Sequence, residues 1–75
     1  MQNEDVEEIQ TYLSFIADFY TGIPKIPVTG YFGSQTREAV TVFQRLFGIT
    51  PNGIVGANTW NAIATQYDFL KETAL

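Results

Sequence analysis

The sequence predicts an all-α fold, a compact three-helix bundle that contains two related loop–helix repeats. Three segments space their apolar residues by three and four, which is the period of an amphipathic helix. No segment of useful length alternates apolar and polar residues as a half-buried strand does. We expect helices at about residues 5–20, 34–47 and 57–70, a frayed tail at 71–75, and a single domain over residues 1–75.

The first helix begins in an acidic cluster. Asp5 followed by Glu8 is a capping-box-like start, and the helix dipole favours negative charge in a first turn. A calcium site is the alternative, but the cluster lacks the loop glycine and the alternating ligand spacing of such sites. Gly22 and Pro24 end the helix. Helical spacing gives a core stripe of Val6, Ile9, Leu13, Ile16, Ala17 and Tyr20, and a second apolar line of Tyr12, Phe15 and Phe19.

The connection over residues 21–33 is long enough to fold back on the domain. We expect Ile23, Ile26 and Val28 to cover the second apolar line of the first helix. The second helix should end at Gly48, before a turn at residues 51–53. The predicted core residues are Thr36, Ala39, Val40, Phe43, Leu46 and Phe47 in the second helix, and Thr59, Ala62, Ile63, Tyr67 and Leu70 in the third.

Residues 30–40 and 53–63 form an internal repeat, GYFGSQTREAV over GIVGANTWNAI, at a constant offset of 53 − 30 = 23. Two repeats are too few for a solenoid, so they indicate one globule with internal similarity. The pairs that match are Gly30 with Gly53, Gly33 with Gly56, Thr36 with Thr59, and Ala39 with Ala62.

The repeated positions have a physical interpretation. The first glycine of each repeat suits a positive φ in a turn, and the second permits a sharp turn into a helix. The two apolar residues between the glycines point the loop into the core. Thr36 and Thr59 lie in a first helical turn, where we expect their hydroxyls to bond back to the loop backbone.

Composition excludes several function classes. The chain has no cysteine and no histidine, so disulfides, thiolate or imidazole metal sites and Ser-His or Cys-His nucleophiles are excluded, and we expect no metal and no cofactor. The net charge is −4 and the four basic residues are scattered, which argues against nucleic-acid binding. The apolar runs are far shorter than the ~20 residues of a membrane span. The acidic N-terminus is unlike a signal peptide.

Three motifs carry a resemblance to a known family. They are D-V-x-x-I-Q-x-x-L over residues 5–13, V-T-G-Y-F-G-x-x-T-x-x-A-V-x-x-F-Q over 28–44, and G-I-T-P-N-G-I-V-G-x-x-T-W over 48–60. The chain resembles the peptidoglycan-binding domain-1 family over residues 5 to about 63. It departs from the family in the insertion around Pro24 to Pro27 and in Ala57, where the family commonly has proline. The prodomains of matrix metalloproteinases share this fold, so the fold alone does not establish wall binding.

The resemblance implies a non-catalytic module that binds peptidoglycan and targets an attached or partner wall-lytic enzyme to its substrate. The implied partner is a covalently linked catalytic domain, such as an amidase, a muramidase or a spore-cortex-lytic hydrolase. The implied location is the cell wall, the extracellular space or the spore envelope, as part of a larger exported protein, and we expect a monomer. The alternative is an interaction or autoinhibitory domain docking on a neighbouring catalytic domain, which an uncovered apolar arc on the first helix would favour.

The sequence contains candidate residues both for catalysis and for ligand contact. Glu38 with Asp68 or Glu72 would be the carboxylate pair of a glycosidase, but a chain of this length has little room for a cleft. A peptidoglycan binder needs apolar platforms and amide groups, and a guanidinium can pair with a stem carboxylate. The candidate contact residues are Tyr31, Phe32, Arg37, Thr41, Gln44, Arg45, Asn52, Trp60 and Asn61.

Each candidate has a structural alternative. Phe32 and Trp60 could fill the core, and the amides of Gln10 and Gln44 could satisfy loop backbone groups. Arg37 could pair only with solvent or with the neighbouring glutamate. Tyr31 is the strongest candidate for contact, because its ring is apolar while its hydroxyl can stay hydrated.

Overall fold

Three α-helices form the fold in a computed structural model, which describes residues 3–73. Helix α1 spans Asn3–Ala17, α2 spans Ser34–Leu46 and α3 spans Ala57–Thr73, and no strand occurs within residues 3–73. The predicted all-α three-helix fold is confirmed. The core lies between the helices, and α1 packs mainly against α3.

The helix ends differ from the predicted ones. Because α1 already begins at Asn3, Asp5 lies in its first turn and is not its cap. Helix α1 stops at Ala17, and the chain turns there, with the amides of Phe19 and Tyr20 both donating to the Ile16 carbonyl. Helix α3 continues through the first part of the tail that was expected to fray. The remainder of that tail, residues 74–75, lies outside the described residues.

Most of the predicted core is buried, with one clear error. Leu46 was expected in the core and is instead 53% exposed, whereas Gln44, on the opposite flank of the α2 stripe, is buried. Tyr20, Phe47, Ala62 and Tyr67 are only partly buried and pack against the core. The fully enclosed residues are Ile9, Leu13, Ile16, Ala39, Val40, Phe43 and Ile63.

The long connection folds back on α1 but covers less of it than expected. Ile23 and Ile26 are buried, and the Ile26 carbonyl accepts a hydrogen bond from the Ser14 hydroxyl, but Val28 is exposed. The second apolar line of α1 is covered instead by α3: the ring of Tyr67 lies 4.2 Å from that of Tyr12 and 5.3 Å from that of Phe15, centroid to centroid. The wide apolar arc of α1 is therefore largely an interhelical contact.

Helix α2 ends just before Gly48, as the sequence predicted. Gly48 has φ +73°, a conformation that only glycine adopts without strain. The amide of Ile49 donates to the Gln44 carbonyl at 2.8 Å, which closes a Schellman-type end. After this turn the chain continues into the second repeated loop.

Candidate binding groove between the two repeated loops

A buried glutamine on α1 holds the first repeated loop. The Oε1 atom of Gln10 accepts hydrogen bonds from the backbone amides of Thr29 at 2.7 Å and Gly30 at 2.9 Å. Its Nε2 atom donates to the Tyr31 carbonyl at 2.9 Å and to the Thr36 hydroxyl at 3.0 Å. One side chain that is 1% exposed thus fixes the loop and the first turn of α2.

An equivalent glutamine on α2 holds the second loop. The Oε1 atom of Gln44 accepts from the Gly53 amide at 2.9 Å, and its Nε2 atom contacts the Ile54 carbonyl at 3.0 Å and the Thr59 hydroxyl at 3.1 Å. The Asn52 side chain adds a third acceptor at 3.1 Å. The prediction that these glutamine amides satisfy loop backbone groups is confirmed.

The two repeated threonines do something other than predicted. Their hydroxyls were expected to bond to the loop backbone, but each accepts from the glutamine of the preceding helix. The separation is 26 residues from Gln10 to Thr36 and 15 from Gln44 to Thr59. The longer first connection accounts for this difference, so the glutamines do not share the constant offset of the repeat, and aligning the repeats does not reveal them.

The repeated glycines serve different purposes. Gly30 and Gly53 have φ of +80° and +74°, as predicted for the first glycine of each repeat. Gly33 has φ −103°, which any residue can adopt, but a Cβ atom there would lie 2.6 Å from the Tyr31 ring. Gly33 therefore makes room for an aromatic ring at the turn into α2, and its backbone conformation does not by itself require glycine. A Cβ atom on Gly56 would meet nothing within 4 Å.

The two loops form the sides of a groove of about 540 Å³, here called the central groove. The first loop contributes Gly30, Tyr31 and Phe32, and the second contributes Gly53, Ile54 and Val55, which are the same three positions of each repeat. Asn3 and Val6 of α1 and Arg37 of α2 complete the lining. Tyr31 is 75% exposed and Ile54 is 60% exposed, so both offer apolar surface to a ligand.

A smaller depression, here called a cup, flanks the groove on each side. The first cup, of about 430 Å³, includes Gln10, Thr29, Tyr31, Ser34, Gln35 and Thr36. The second cup, of about 370 Å³, includes the repeat-equivalent positions Asn52, Ile54, Ala57, Asn58 and Thr59, together with Gln44. Tyr31 lines both the groove and the first cup, and Ile54 lines both the groove and the second cup.

Arg37 is the charged residue of the groove. Within residues 3–73 the only ion pair joins Lys25 to Asp18, so the Arg37 guanidinium has no carboxylate within 4.0 Å in this range, Glu38 included. The Arg37 stem passes the second loop, because a Cβ atom on Gly53 would lie 2.9 Å from its Cγ. An unpaired guanidinium beside apolar side chains suits a polar ligand with acceptor oxygens.

The other sequence candidates are more scattered. Thr41 and Arg45 share a shallow depression with Arg37 on the outer face of α2. Trp60 is half-buried against the core and Asn61 is exposed, and neither lines the central groove or the cups. The structure brings together Tyr31, Phe32 and Arg37, and adds Asn3, Val6, Ile54 and Val55, which were not among the candidates.

The candidates also include residues whose polar groups are used inside the fold. Gln44 is 1% exposed, and its amide bonds to the second loop. The Asn52 side chain accepts from the Ile54 amide at 2.9 Å as well as from Gln44, so it braces the loop. Phe32 is half-buried: it packs against the core while also lining the groove.

Comparison with known proteins identifies the family. A family model described as "Putative peptidoglycan binding domain" matches residues 2–63. The chain belongs to this peptidoglycan-binding domain family. Both repeated loops, both glutamines and the central groove of this peptidoglycan-binding domain lie within the matched range.

Two curated relatives of this peptidoglycan-binding domain are named as cell-wall enzymes. The spore cortex-lytic enzyme of Bacillus cereus is 42% identical over 73 residues, which are 95% of this chain and 26% of that protein. The N-acetylmuramoyl-L-alanine amidase CwlM of Mycobacterium tuberculosis is 35% identical over 63 residues, 84% of this chain and 14% of that protein. The domain thus spans about a quarter or less of these relatives. No solved structure matches it at comparable significance.

Metal-binding clusters and membrane-spanning helices are both absent from residues 3–73. No group of three or more acidic, histidine or cysteine side chains that could hold a metal ion occurs within residues 3–73. Over the same residues, no helix combines the length and the apolar character that crossing a membrane requires.

Proposed function

We propose that this domain binds peptidoglycan non-covalently in the central groove and brings an attached or partner wall-lytic enzyme to its substrate. The observation that carries the proposal is the pairing of two exposed apolar side chains, Tyr31 and Ile54, on glutamine-anchored loops beside Arg37, whose guanidinium has no ion-pair partner within residues 3–73. Peptidoglycan offers apolar sugar faces, amides and carboxylates, and each finds a complementary group there. The groove is preformed, because the buried glutamines already hold both loops.

We also propose that the domain itself does no chemistry on the wall. Glycosidic cleavage by acid–base catalysis uses a pair of carboxylates across the substrate. Within residues 3–73, the lining of the central groove and the two cups includes no aspartate and no glutamate, and Glu7, which stands beside Gly30, is a single carboxylate and not a pair. The catalysis implied by the relatives' names would then belong to other parts of those longer proteins.

Docking on a neighbouring catalytic domain was the alternative, and an uncovered apolar face on α1 would favour it. Tyr12 and Phe15 pack against Tyr67 of α3, which leaves Phe19 as the exposed member of that line. The loops of the groove present the better-formed site. We propose that the domain acts in the cell wall or spore envelope, as the wall-binding part of a larger exported protein.

Co-sedimentation with insoluble sacculi tests the proposal. The folded domain should pellet with the sacculi, and soluble wall fragments should release it. Tyr31→Ala should weaken binding roughly tenfold, the effect of truncating an aromatic anchor. Phe69→Ala is the matched control, because Phe69 is 60% exposed and lies outside the groove and cups. A folded wild-type domain that stays in the supernatant with walls of several bacteria would refute wall binding.

The targeting role needs a second measurement. In a wall-lytic enzyme that carries this domain, Tyr31→Ala should lower the fraction of enzyme on the wall and the rate of sacculus digestion together. Hydrolysis of a small soluble substrate should be unchanged. Unchanged sacculus digestion despite lost wall association would contradict targeting and leave wall binding intact.

A further inference from the structure

We propose that the groove takes the glycan strand of peptidoglycan, running across Tyr31 and Ile54 from one cup to the other, and that the peptide stem is not the main ligand. The inference rests on the proposed wall-binding function and specifies which part of the polymer is held. It depends on three observations: the repeated lining, the continuity of the three depressions, and the scarcity of charge along them.

The lining of this surface repeats itself. The same three positions of each loop form the two sides of the groove, and the cups consist of repeat-equivalent positions. An exposed amide side chain stands in each cup at the matching position, Gln35 in the first and Asn58 in the second. Two like sites are filled best by a ligand that presents like groups twice. The glycan strand does so, because it repeats N-acetylated sugars, whereas successive residues of a stem peptide differ.

The depressions follow one another along the surface. Tyr31 borders the first cup and the groove, and Ile54 borders the groove and the second cup, so each side chain is a ridge between two hollows. A linear ligand can cross both ridges in one pose. A sugar ring has an apolar face that can rest on an exposed aromatic or aliphatic side chain while its hydroxyl and acetamido groups reach the amides beyond.

The charge along the surface also favours the glycan. Among residues 3–73, Arg37 is the only charged residue that lines the groove or either cup, and one carboxylate stands beside the lining, because a Cβ atom on Gly30 would lie 3.3 Å from Glu7 Oε2. A stem peptide carries several ionised groups, and a site built to hold it would need several charged partners. A glycan backbone needs hydrogen-bonding amides and hydroxyls, which line both cups. The single guanidinium can donate hydrogen bonds to the neutral acetamido or lactyl carbonyl oxygens of a sugar.

Competition experiments on the intact domain separate glycan from stem. Sacculi are presented with two soluble competitors: glycan strands whose stems have been removed by an amidase, sorted by length, and free stem peptides. We expect the stem-free strands to displace the domain and the peptides to leave it bound. Affinity should rise from a single disaccharide to a strand that covers both ridges and then level off, since further sugars meet no new contact.

Substitutions on the two ridges test the route. Tyr31→Ala and Ile54→Ala should each weaken binding of long strands roughly tenfold and should flatten the dependence on strand length. Leu46→Ala and Phe69→Ala remove exposed apolar side chains outside the groove and cups and should change neither quantity. Circular dichroism should be used to check that each variant is folded.

The possible outcomes distinguish failure of the glycan inference from failure of the proposed wall binding. If the domain binds sacculi but stem-free strands of every length fail to compete, or free stems compete instead, the glycan inference is overturned and wall binding stands. If affinity does not increase beyond one disaccharide, the two-ridge route is overturned. If the folded domain does not bind sacculi at all, the proposed function fails first.

Discussion

Gln44, the buried glutamine that holds the second loop, should be the most stability-critical polar residue of the domain. Replacing Gln44 with leucine keeps the side-chain size and removes every hydrogen bond that the amide makes. Two of these bonds, from the Gly53 amide and to the Thr59 hydroxyl, are fully buried. Leaving one buried polar group without a partner costs about 1–3 kcal/mol. The two groups together imply about 2–6 kcal/mol before any compensation.

The net effect follows from setting this cost against the total stability. The leucine side chain is apolar and offsets part of the loss, so we expect Gln44→Leu to lower the free energy of unfolding by about 2–4 kcal/mol. At about 0.05–0.15 kcal/mol per residue, 75 residues give a total of about 4–11 kcal/mol. The variant should therefore be markedly destabilised and, at the lower end of this range, partly unfolded at 25 °C.

Gln10→Leu provides the internal comparison. Only its bond to the Thr36 hydroxyl is fully buried, and its bonds to the first loop are partly accessible, so water can replace them. We expect a loss of about 1–2 kcal/mol, smaller than that of Gln44→Leu. The exposed Gln35→Leu should stay within about 0.5 kcal/mol of the wild type.

Urea unfolding followed by far-ultraviolet circular dichroism measures all three variants. The urea midpoint should be highest for Gln35→Leu, lower for Gln10→Leu and lowest for Gln44→Leu. The m-values should be similar if the native state is unchanged. A loss below about 1 kcal/mol for Gln44→Leu, or a larger loss for Gln10→Leu, would refute the reasoning from buried hydrogen bonds.

Three more outcomes follow from individual residues. Gly53→Ala should cost about 1–3 kcal/mol in a urea titration, because its φ is +74° and a Cβ atom would collide with a neighbouring side chain, while Gly56→Ala should cost less than about 1 kcal/mol. A 2.5 Å hydrogen bond to a glutamate raises the pKa of Tyr12 from 10.0 to about 12, so the native state holds this proton more tightly. The stabilisation of the fold by this hydrogen bond is complete below pH 10 and is lost as pH rises to 12. Thermal melts across this pH range should show a smaller loss for Tyr12→Phe than for the wild type. Leu46→Ser should leave the melting temperature nearly unchanged, whereas Phe43→Ala should cost about 3–5 kcal/mol, and equal losses would contradict the observed burial.

Much of the fold could be predicted from the chain because its causes are local. The apolar spacing along each helix predicted three helices, and Gly30, Gly48 and Gly53 marked turns that need a positive φ. Leu46 shows where local spacing is insufficient. It falls at the edge of the α2 stripe, where the neighbouring elements decide burial, and they enclose Gln44 instead.

The site was less predictable than the fold. Tyr31 and Arg37 were identified as candidates, and both line the groove. Ile54 was overlooked even though the repeat pairs it with Tyr31, because an isoleucine between two glycines was interpreted as a core residue. Trp60 was a candidate contact residue because tryptophan is a large aromatic side chain, but it lies outside the groove.

The sequence by itself determined three helices, two repeated loops and membership of a wall-binding family, since each depends on residue types at short or constant spacing. Tertiary structure alone decided that Gln10 and Gln44 anchor the loops and that Tyr31 and Ile54 stand as ridges beside one groove. Those arrangements join residues that are far apart along the chain. Their geometry depends on how the helices pack, and no local pattern encodes it.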